Sequence, residues 1–355
     1  MTDFNPNAAC VPNGNFFGFP FSLEESPLVL LSVPWDVTTS YRRGASQGPN
    51  AILDASIQLD FFDFEIKNVW KSGIWTYPLE ESQPIADISS FLRPVAERAI
   101  AFQEQRCQEL PVGYGETNYS KDLGLVEKGG EKLNEWLQSK CTEFMQQGKK
   151  VGIVGGDHSV PLGYLHALAS HHEQFGILHL DAHADLRNAY EGFLYSHASI
   201  MYNALKITNI SKLVQVGVRD VCEEEQRQVA DSNGRIVQFP DQNIQNLLAE
   251  GHSWASCCTQ ILATLPAKIY ISFDIDALDP SLCPHTGTPV PGGLTFAQAR
   301  YLLSRIRQSG KEIIGFDLCE VSPDSYNPDN EWDGNVGARI LYILSNTLLH
   351  AAKQE

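Results

Sequence analysis

The chain of 355 residues predicts one large α/β domain built on a parallel β-sheet. Runs of Ile, Val and Leu recur along it, and they are continuous rather than alternating, as expected for strands covered on both faces. Segments with helical periodicity separate these runs, and strands that alternate with helices indicate a parallel sheet. Hydrophobic residues make up 43% of the chain, enough to bury a full core. In such folds, ligands bind at the carboxyl ends of the strands.

Each predicted strand is a short apolar run ended by Gly, Pro or polar residues. The predicted strands cover 27–33, 150–154, 175–180, 213–218, 268–275 and 313–318. The predicted helices begin near residue 50 or cover 90–107, 130–148, 161–170, 254–265, 295–308 and 335–352, with a polar loop at 111–128. Residues 1–26, rich in Asn, Pro, Gly and Phe, are expected to form an irregular N-terminal arm, and 27–355 a single domain that carries the site.

Charge and composition restrict the expected partners. A net charge of -17 argues against a nucleic acid or an anionic membrane, both of which demand a basic face, and is compatible with a small cationic substrate. No stretch approaches about 18 uninterrupted apolar residues, and the N-terminus lacks the pattern of a signal peptide, so a cytoplasmic location is expected. The eight cysteines include no Cys-x-x-Cys pair, which predicts free thiols in a reducing compartment.

Three short motifs follow three of the predicted strands. They are Gly-Gly-Asp-His-Ser at 155–159, Asp-Ala-His-Ala-Asp at 181–185 and Ser-Phe-Asp-Ile-Asp at 272–276. In extended backbone, alternate residues point the same way, so the polar residues of each motif can face one spot. The motifs thereby offer four carboxylates and two imidazoles as candidate metal ligands: His158, Asp181, His183, Asp185, Asp274 and Asp276.

This donor set predicts a binuclear metal site. Four carboxylates packed together without a cation would repel, and burying them would cost several kcal/mol each. Two divalent cations offset that charge and can activate water near neutral pH. The oxygen-rich set with two imidazoles suits Mn(II), with Ni(II) as the alternative, and Co(II) and Zn(II) also match the ligand types. The motif at 155–159 lacks the Lys and the spacing of a phosphate-binding loop, so a strand-to-helix turn that delivers His158 fits better.

In their order and spacing, the three motifs resemble those of the ureohydrolase family of arginases and agmatinases, over about residues 28–350. The resemblance implies a three-layer α/β/α fold with a mostly parallel eight-stranded sheet, two metal ions that are usually manganese, and a homotrimer or homohexamer. It also implies that His158 binds one metal and His183 the other, with Asp181 and Asp274 shared between the pair.

Further residues match family positions with a role in the reaction. His197 matches the proton-shuttle histidine, whose imidazole would protonate the leaving amine, with Asp185 relaying the proton. Glu320, at the end of another predicted strand, matches the glutamate that binds the guanidinium group through a charge-assisted contact. Thr288 would line the pocket. The implied reaction hydrolyses a guanidino group to urea and an amine.

The sequence indicates the substrate less clearly than it indicates the family. The segment 181–197 resembles the agmatinase branch, whereas 186–195 lacks the Asn- and Ser-bearing stretch of arginases, and Cys222 stands where arginases place an acid. Agmatine, or a similar guanidino compound without an α-carboxylate, is therefore the expected substrate. Free guanidine is the alternative, because His285, the aromatic segment 326–332 and the N-terminal arm would leave room only for a very small molecule if they roofed the pocket.

Four other functions are also compatible with the sequence. The chain would be an arginase or a guanidinobutyrase if its pocket accepted a carboxylate-bearing tail. A metal-dependent deacetylase of related fold would use a single zinc and fewer carboxylates. The chain would be non-enzymatic if it bound its ligand without turnover. The presence of the full set of candidate residues argues against this function.

Overall fold

A parallel β-sheet of eight strands forms the centre of the computed structural model, which describes residues 4–351. In chain order the strands are β1 (Leu28–Val33), β2 (Ile74–Thr76), β3 (Lys150–Gly155), β4 (Phe175–Leu180), β5 (Ile210–Val216), β6 (Ile236–Phe239), β7 (Lys268–Asp274) and β8 (Glu312–Cys319). The α-helices of the described residues are α1 (Gly48–Ser56), α2 (Gln83–Gln103), α3 (Glu116–Gln146), α4 (Leu162–His171), α5 (Ile200–Ala204), α6 (Glu223–Asp231), α7 (Asp241–Ala249), α8 (Trp254–Thr264), α9 (Phe296–Arg307) and α10 (Trp332–Leu349).

The strand order is β2-β1-β3-β8-β7-β4-β5-β6, and every neighbouring pair is parallel. Apolar residues of one strand alternate between two cores: Leu28 and Leu30 face one, whereas Val29 and Leu31 face the other. Helices α1, α8, α9 and α10 contribute to the first core, and α2, α3 and α4 to the second. The predicted three-layer α/β/α fold is confirmed, because both faces of the sheet are covered by helices.

The six predicted strands are present, and the sheet adds β2 and β6 at its two edges. These edge strands have three and four residues, too short for an apolar run to stand out in the sequence. The predicted loop at 111–128 is wrong, because α3 begins at Glu116 and spans 31 residues. Glycine in α3 allows close packing against a neighbouring helix and does not end the helix. A Cβ on Gly129, for example, would lie 2.0 Å from a Leu92 methyl carbon. Packing against α2 outweighs the low helix propensity of glycine.

Residues 4–26 contain no α-helix or β-strand, and several of their aromatic side chains lie in the first core. Phe16, Phe17 and Phe19 are buried. The Phe17 ring lies edge-on to Tyr342 at 5.1 Å between centroids, and the Phe19 ring lies 4.9 Å from that of Phe61. Aromatic contacts of this kind add to the area that the rings bury, so the segment contributes to the core of the domain.

No helix within residues 4–351 combines the length and the apolarity needed to cross a membrane.

Strand order explains how distant motifs meet. The four central strands β3, β8, β7 and β4 are neighbours, and parallel pairing brings their carboxyl ends to one edge of the sheet. The motif at 155–159 leaves β3, Glu320 leaves β8, 274–276 leaves β7 and 181–185 leaves β4. The sheet therefore delivers all of these residues side by side, at the edge where α/β folds bind ligands.

Candidate active site

The candidate metal ligands converge on His158, which is buried in the turn after β3. Its Nδ1 atom lies 3.0 Å from Oδ2 of Asp181 and 3.1 Å from Oδ2 of Asp274. Oδ2 of Asp185 lies 3.3 Å from the same nitrogen. Four of the six residues thus surround one point.

The other two residues form an adjacent group. Nδ1 of His183 lies 3.1 Å from Oδ2 of Asp276 and 3.4 Å from Oδ1 of Asp181. Asp181 therefore directs one oxygen to each imidazole, and the two groups share this carboxylate. The arrangement offers two neighbouring positions where a cation could lie.

The hydrogen bonds of His158 show that a cation fits there. Its Nε2 lies 2.8 Å from the Ser272 hydroxyl, which donates to Oδ1 of Asp317 at 3.1 Å. Because that hydroxyl donates to Asp317, it accepts the proton on Nε2 of His158, which leaves Nδ1, the nitrogen that faces three carboxylates, as the atom that would bind a metal. Burial lowers the pKa of His158, but the hydrogen bonds to these carboxylates together raise it well above its usual range, so that without a metal Nδ1 holds a proton among them. A divalent cation can replace that proton and offset the buried anionic charge. A hydrogen bond from the outer nitrogen is also how proteins orient a metal-binding histidine.

Burial and mutual repulsion also destabilise the ionised form of some of these carboxylates. Burial, and then repulsion by Asp276 and Asp181, raises the pKa of Asp274 well above its usual range. Burial, together with the charge of Asp181, raises the pKa of Asp185 to about 6. The protein by itself therefore disfavours full ionisation of the cluster, which bound cations would relieve.

Sequence reasoning missed His179, whose ring donates from Nε2 to Oδ2 of Asp181 at 2.8 Å. Its Nδ1 accepts a hydrogen bond of 2.9 Å from the Gln215 side-chain amide. Gln215 is held in that orientation because its amide also donates to the carbonyl of Ala184, and its oxygen accepts from Gln238. With both ring nitrogens committed, His179 orients Asp181 and is not a ligand. The alternation of polar residues at 179, 181, 183 and 185 was the signal that could have found it.

Two site residues adopt left-handed backbone, which residues other than glycine rarely do. Asp185 has φ 54°, and its carbonyl accepts from the amides of Met201 and Tyr202. Glu320 has φ 63°, and the Thr286 hydroxyl donates to its carbonyl at 2.7 Å. These hydrogen bonds hold both side chains toward the site against the local preference of the chain.

Glu320 lies beside the candidate metal ligands. Oε1 of its carboxylate accepts a hydrogen bond of 2.8 Å from the backbone amide of His158. Burial, and then the charge of Asp157, raises the pKa of Glu320 well above its usual range. A buried carboxylate with one oxygen already anchored gains most from a cationic partner on the other oxygen.

One cavity of about 320 Å³ opens onto the cluster. Its lining contains four of the candidate ligands together with predicted site residues and new ones: His158, His183, Asp185, Asp274, His197, Thr288, Glu320, Ser40, Tyr41, Arg187, Tyr190 and Asp220 among others. The ring of His197 lies edge-on to Tyr190, with 5.9 Å between centroids. Burial is the largest of the effects that lower the pKa of His197 to about 4, so its ring is neutral at pH 7 and able to accept a proton.

The described residues of the segments suspected of roofing the cavity lie elsewhere. His285 contacts Asp333 at 2.7 Å and Asp324 at 3.3 Å, and Tyr326 is 96% exposed. Within the described residues, the cavity lining includes no residue of the N-terminal segment or of 326–332. The structure thus gives no support to a pocket narrowed by these segments.

A parallel α/β sheet that gathers four carboxylates and two imidazoles at its carboxyl edge defines a metal-dependent hydrolase. The profile of the Arginase family matches residues 26–344. The N(1)-aminopropylagmatine ureohydrolase of Thermus thermophilus is 32% identical over 305 residues, covering 85% of this chain and 84% of that protein. The agmatinase of Citrobacter koseri is 28% identical, covering 87% and 86%.

Solved structures agree on the fold. The agmatine ureohydrolase of Thermoplasma volcanium has a TM-score of 0.69 at 22% identity, covering 95% of this chain and 94% of that one. The proclavaminate amidino hydrolase of Streptomyces clavuligerus has a TM-score of 0.71 at 21% identity, covering 98% and 100%. The chain therefore belongs to the arginase family of ureohydrolases, which are binuclear metal enzymes.

Proposed function

We propose that this enzyme hydrolyses the carbon–nitrogen bond of a guanidino compound to give urea and an amine, with two divalent cations bound. The observation that carries the proposal is one cavity that brings together the two groups of metal donors, His197 and Glu320. The donors would be His158, Asp181, His183, Asp185, Asp274 and Asp276.

The roles follow from the positions of the side chains. Bound divalent cations activate water and stabilise developing negative charge. The carboxylate of Glu320 accepts hydrogen bonds from the substrate guanidinium and holds it over the donor set, with Thr288 on the cavity wall. Neutral His197 accepts a proton released by the attacking water, which Asp185 relays from within the donor set, and passes it to the departing amine.

Agmatine is the first substrate to test. Two of the relatives are named for agmatine and its aminopropyl derivative, and the exposed carboxylate of Asp220 on the cavity wall suits a cationic tail. Free guanidine is the alternative. A cavity of about 320 Å³ exceeds the needs of a molecule with four heavy atoms, so a longer substrate fits this space better.

Manganese is the proposed metal, because oxygen donors dominate the set, and nickel is the alternative, because two imidazoles belong to it. A homotrimer or homohexamer in the cytoplasm, with no nucleic acid or membrane partner, stays a prediction. Sedimentation velocity on the purified enzyme measures the oligomeric state.

The test is urea release by enzyme stripped of metal and reloaded with Mn(II) or with Ni(II). The substrates are agmatine, 4-guanidinobutyrate, 3-guanidinopropionate, arginine and guanidine, and metal content is measured on the same samples. We expect two metals per chain and urea from at least one substrate. The variant His183→Ala should lose one metal and all turnover, whereas His166→Ala, an exposed histidine on α4, should match the wild type. A fully loaded enzyme that releases no urea from any of these substrates would overturn the proposal.

A further inference from the structure

We propose that Arg187 binds a carboxylate on the tail of the substrate, so that the enzyme prefers guanidino acids to agmatine. This inference rests on the proposed function and specifies the substrate class of the same cavity.

Arg187 is held at the wall of the cavity close to the reacting groups. It follows Asp185 by two residues, and its backbone amide donates to the carbonyl of Ala198 at 3.1 Å, which ties it to the segment that carries His197. Its guanidinium carbon lies 5.1 Å from the centre of the Tyr190 ring, and that ring lies edge-on to His197. Stacking on an aromatic face restricts the side chain and leaves the edge of the guanidinium free for a ligand.

The guanidinium has no acidic partner within the described part of the chain, where its contact is the ring of Tyr190. Two other arginines near the site already bind acidic or carbonyl groups of the protein. Arg93 forms an ion pair with Asp36, and Arg219 donates to the backbone carbonyls of Asp276, Leu278 and Val290. Arg187 therefore presents five N–H donors in a planar fork, a shape that matches a carboxylate.

The alternative ligand is the amine of agmatine, bound by Asp220. Asp220 is exposed, and contacts between exposed opposite charges change affinity by about fivefold at most. Arg187 is half-buried on an aromatic ring, and hydrogen bonds to a charged group there are worth about 10- to 100-fold. Arg187 also repels an ammonium group. The stronger of the two contacts thus selects a negative tail.

The experiment compares two substrates of nearly equal length, 4-guanidinobutyrate and agmatine, whose tails carry opposite charges. We expect the wild type to prefer 4-guanidinobutyrate. In Arg187→Gln, kcat/KM for 4-guanidinobutyrate should fall about 10- to 100-fold, mainly through KM, while that for agmatine stays level or rises. Arg187→Lys should recover part of the loss, because it restores the charge without the fork.

The matched control is Arg227→Gln, which makes the same change of charge on the exposed face of α6, where Arg227 pairs with Glu223 at 2.8 Å. It should leave both substrates unaffected. Two outcomes would overturn the inference. Equal losses for both substrates in Arg187→Gln would mean that Arg187 supports the structure of the cavity, and no loss for either would mean that it does not contact the substrate. Calorimetry of 4-guanidinobutyrate binding separates failure of this inference from failure of the proposed function. If the wild type forms no urea, weaker binding to Arg187→Gln than to the wild type still supports the contact, and equal binding to the two proteins contradicts it.

Discussion

The substitution Ser272→Ala tests how the protein orients His158, which we propose as a metal ligand. Ser272 is fully buried at the end of β7, in register with Asp317 of β8. Its hydroxyl accepts from His158 at 2.8 Å and donates to Asp317 at 3.1 Å. Removing the hydroxyl leaves both groups short of a partner in a region that water does not reach.

The magnitude follows from these contacts. Each buried polar group that loses its partner costs about 1–3 kcal/mol, so the variant should lose roughly 2–6 kcal/mol of unfolding free energy. The lower part of that range applies here, because Sγ of Cys319 also donates to Oδ1 of Asp317 at 3.6 Å, so this carboxylate keeps one partner. An imidazole that is no longer oriented should also bind metal about 10- to 100-fold more weakly.

Two measurements check this prediction: urea unfolding of the metal-free protein and a calorimetric metal titration. The control is Ser345→Ala on α10, another fully buried serine, whose hydroxyl has no partner among the described residues. It should leave metal affinity unchanged and stability equal or slightly higher. Metal affinity within twofold of wild type in Ser272→Ala would refute the reasoning, because the ring of His158 would then hold its orientation without the relay.

Three further predictions use other parts of the molecule. His197→Asn should lower kcat about 10²- to 10⁴-fold in the urea assay while the protein still binds two metals, and loss of a metal would show that His197 is a ligand instead. Burial, and then repulsion by neighbouring acid, raises the pKa of Glu191 to about 7, above its unfolded value, so its ionisation destabilises the fold as pH rises from about 4.5 through 7. Glu191→Gln should therefore raise unfolding free energy by about 1 kcal/mol at pH 8, after allowance for its partial exposure, and by nothing at pH 4; a gain independent of pH would contradict this cause. Gly156→Ala should prevent soluble folding, because its Cβ would lie 1.7 Å from the carbonyl oxygen of Trp35, whereas Gly124→Ala in the open face of α3 should fold normally, as yield and circular dichroism will show.

The local features of the sequence were enough to predict the strands and to single out the candidate metal donors. Continuous apolar runs mark strands buried on both faces, and this pattern depends only on which residues are adjacent in the chain. The donors of 181–185 and 274–276 were visible for the same reason, since the alternation of side chains along extended backbone is a local property. His197, Thr288 and Glu320 were found by resemblance to a family, and the structure brings all three to the same cavity.

What the tertiary structure decided depends on contacts between distant segments. The order β3-β8-β7-β4 is set by pairing across the whole chain, and that order places Ser272 opposite Asp317 and both against His158. Helix α3 forms over a stretch that reads as a loop, because packing against α2 stabilises it. The free guanidinium of Arg187 looks like any surface arginine in the sequence. Only the fold shows that it forms no ion pair with a carboxylate among the described residues, and that it lies on the wall of the cavity.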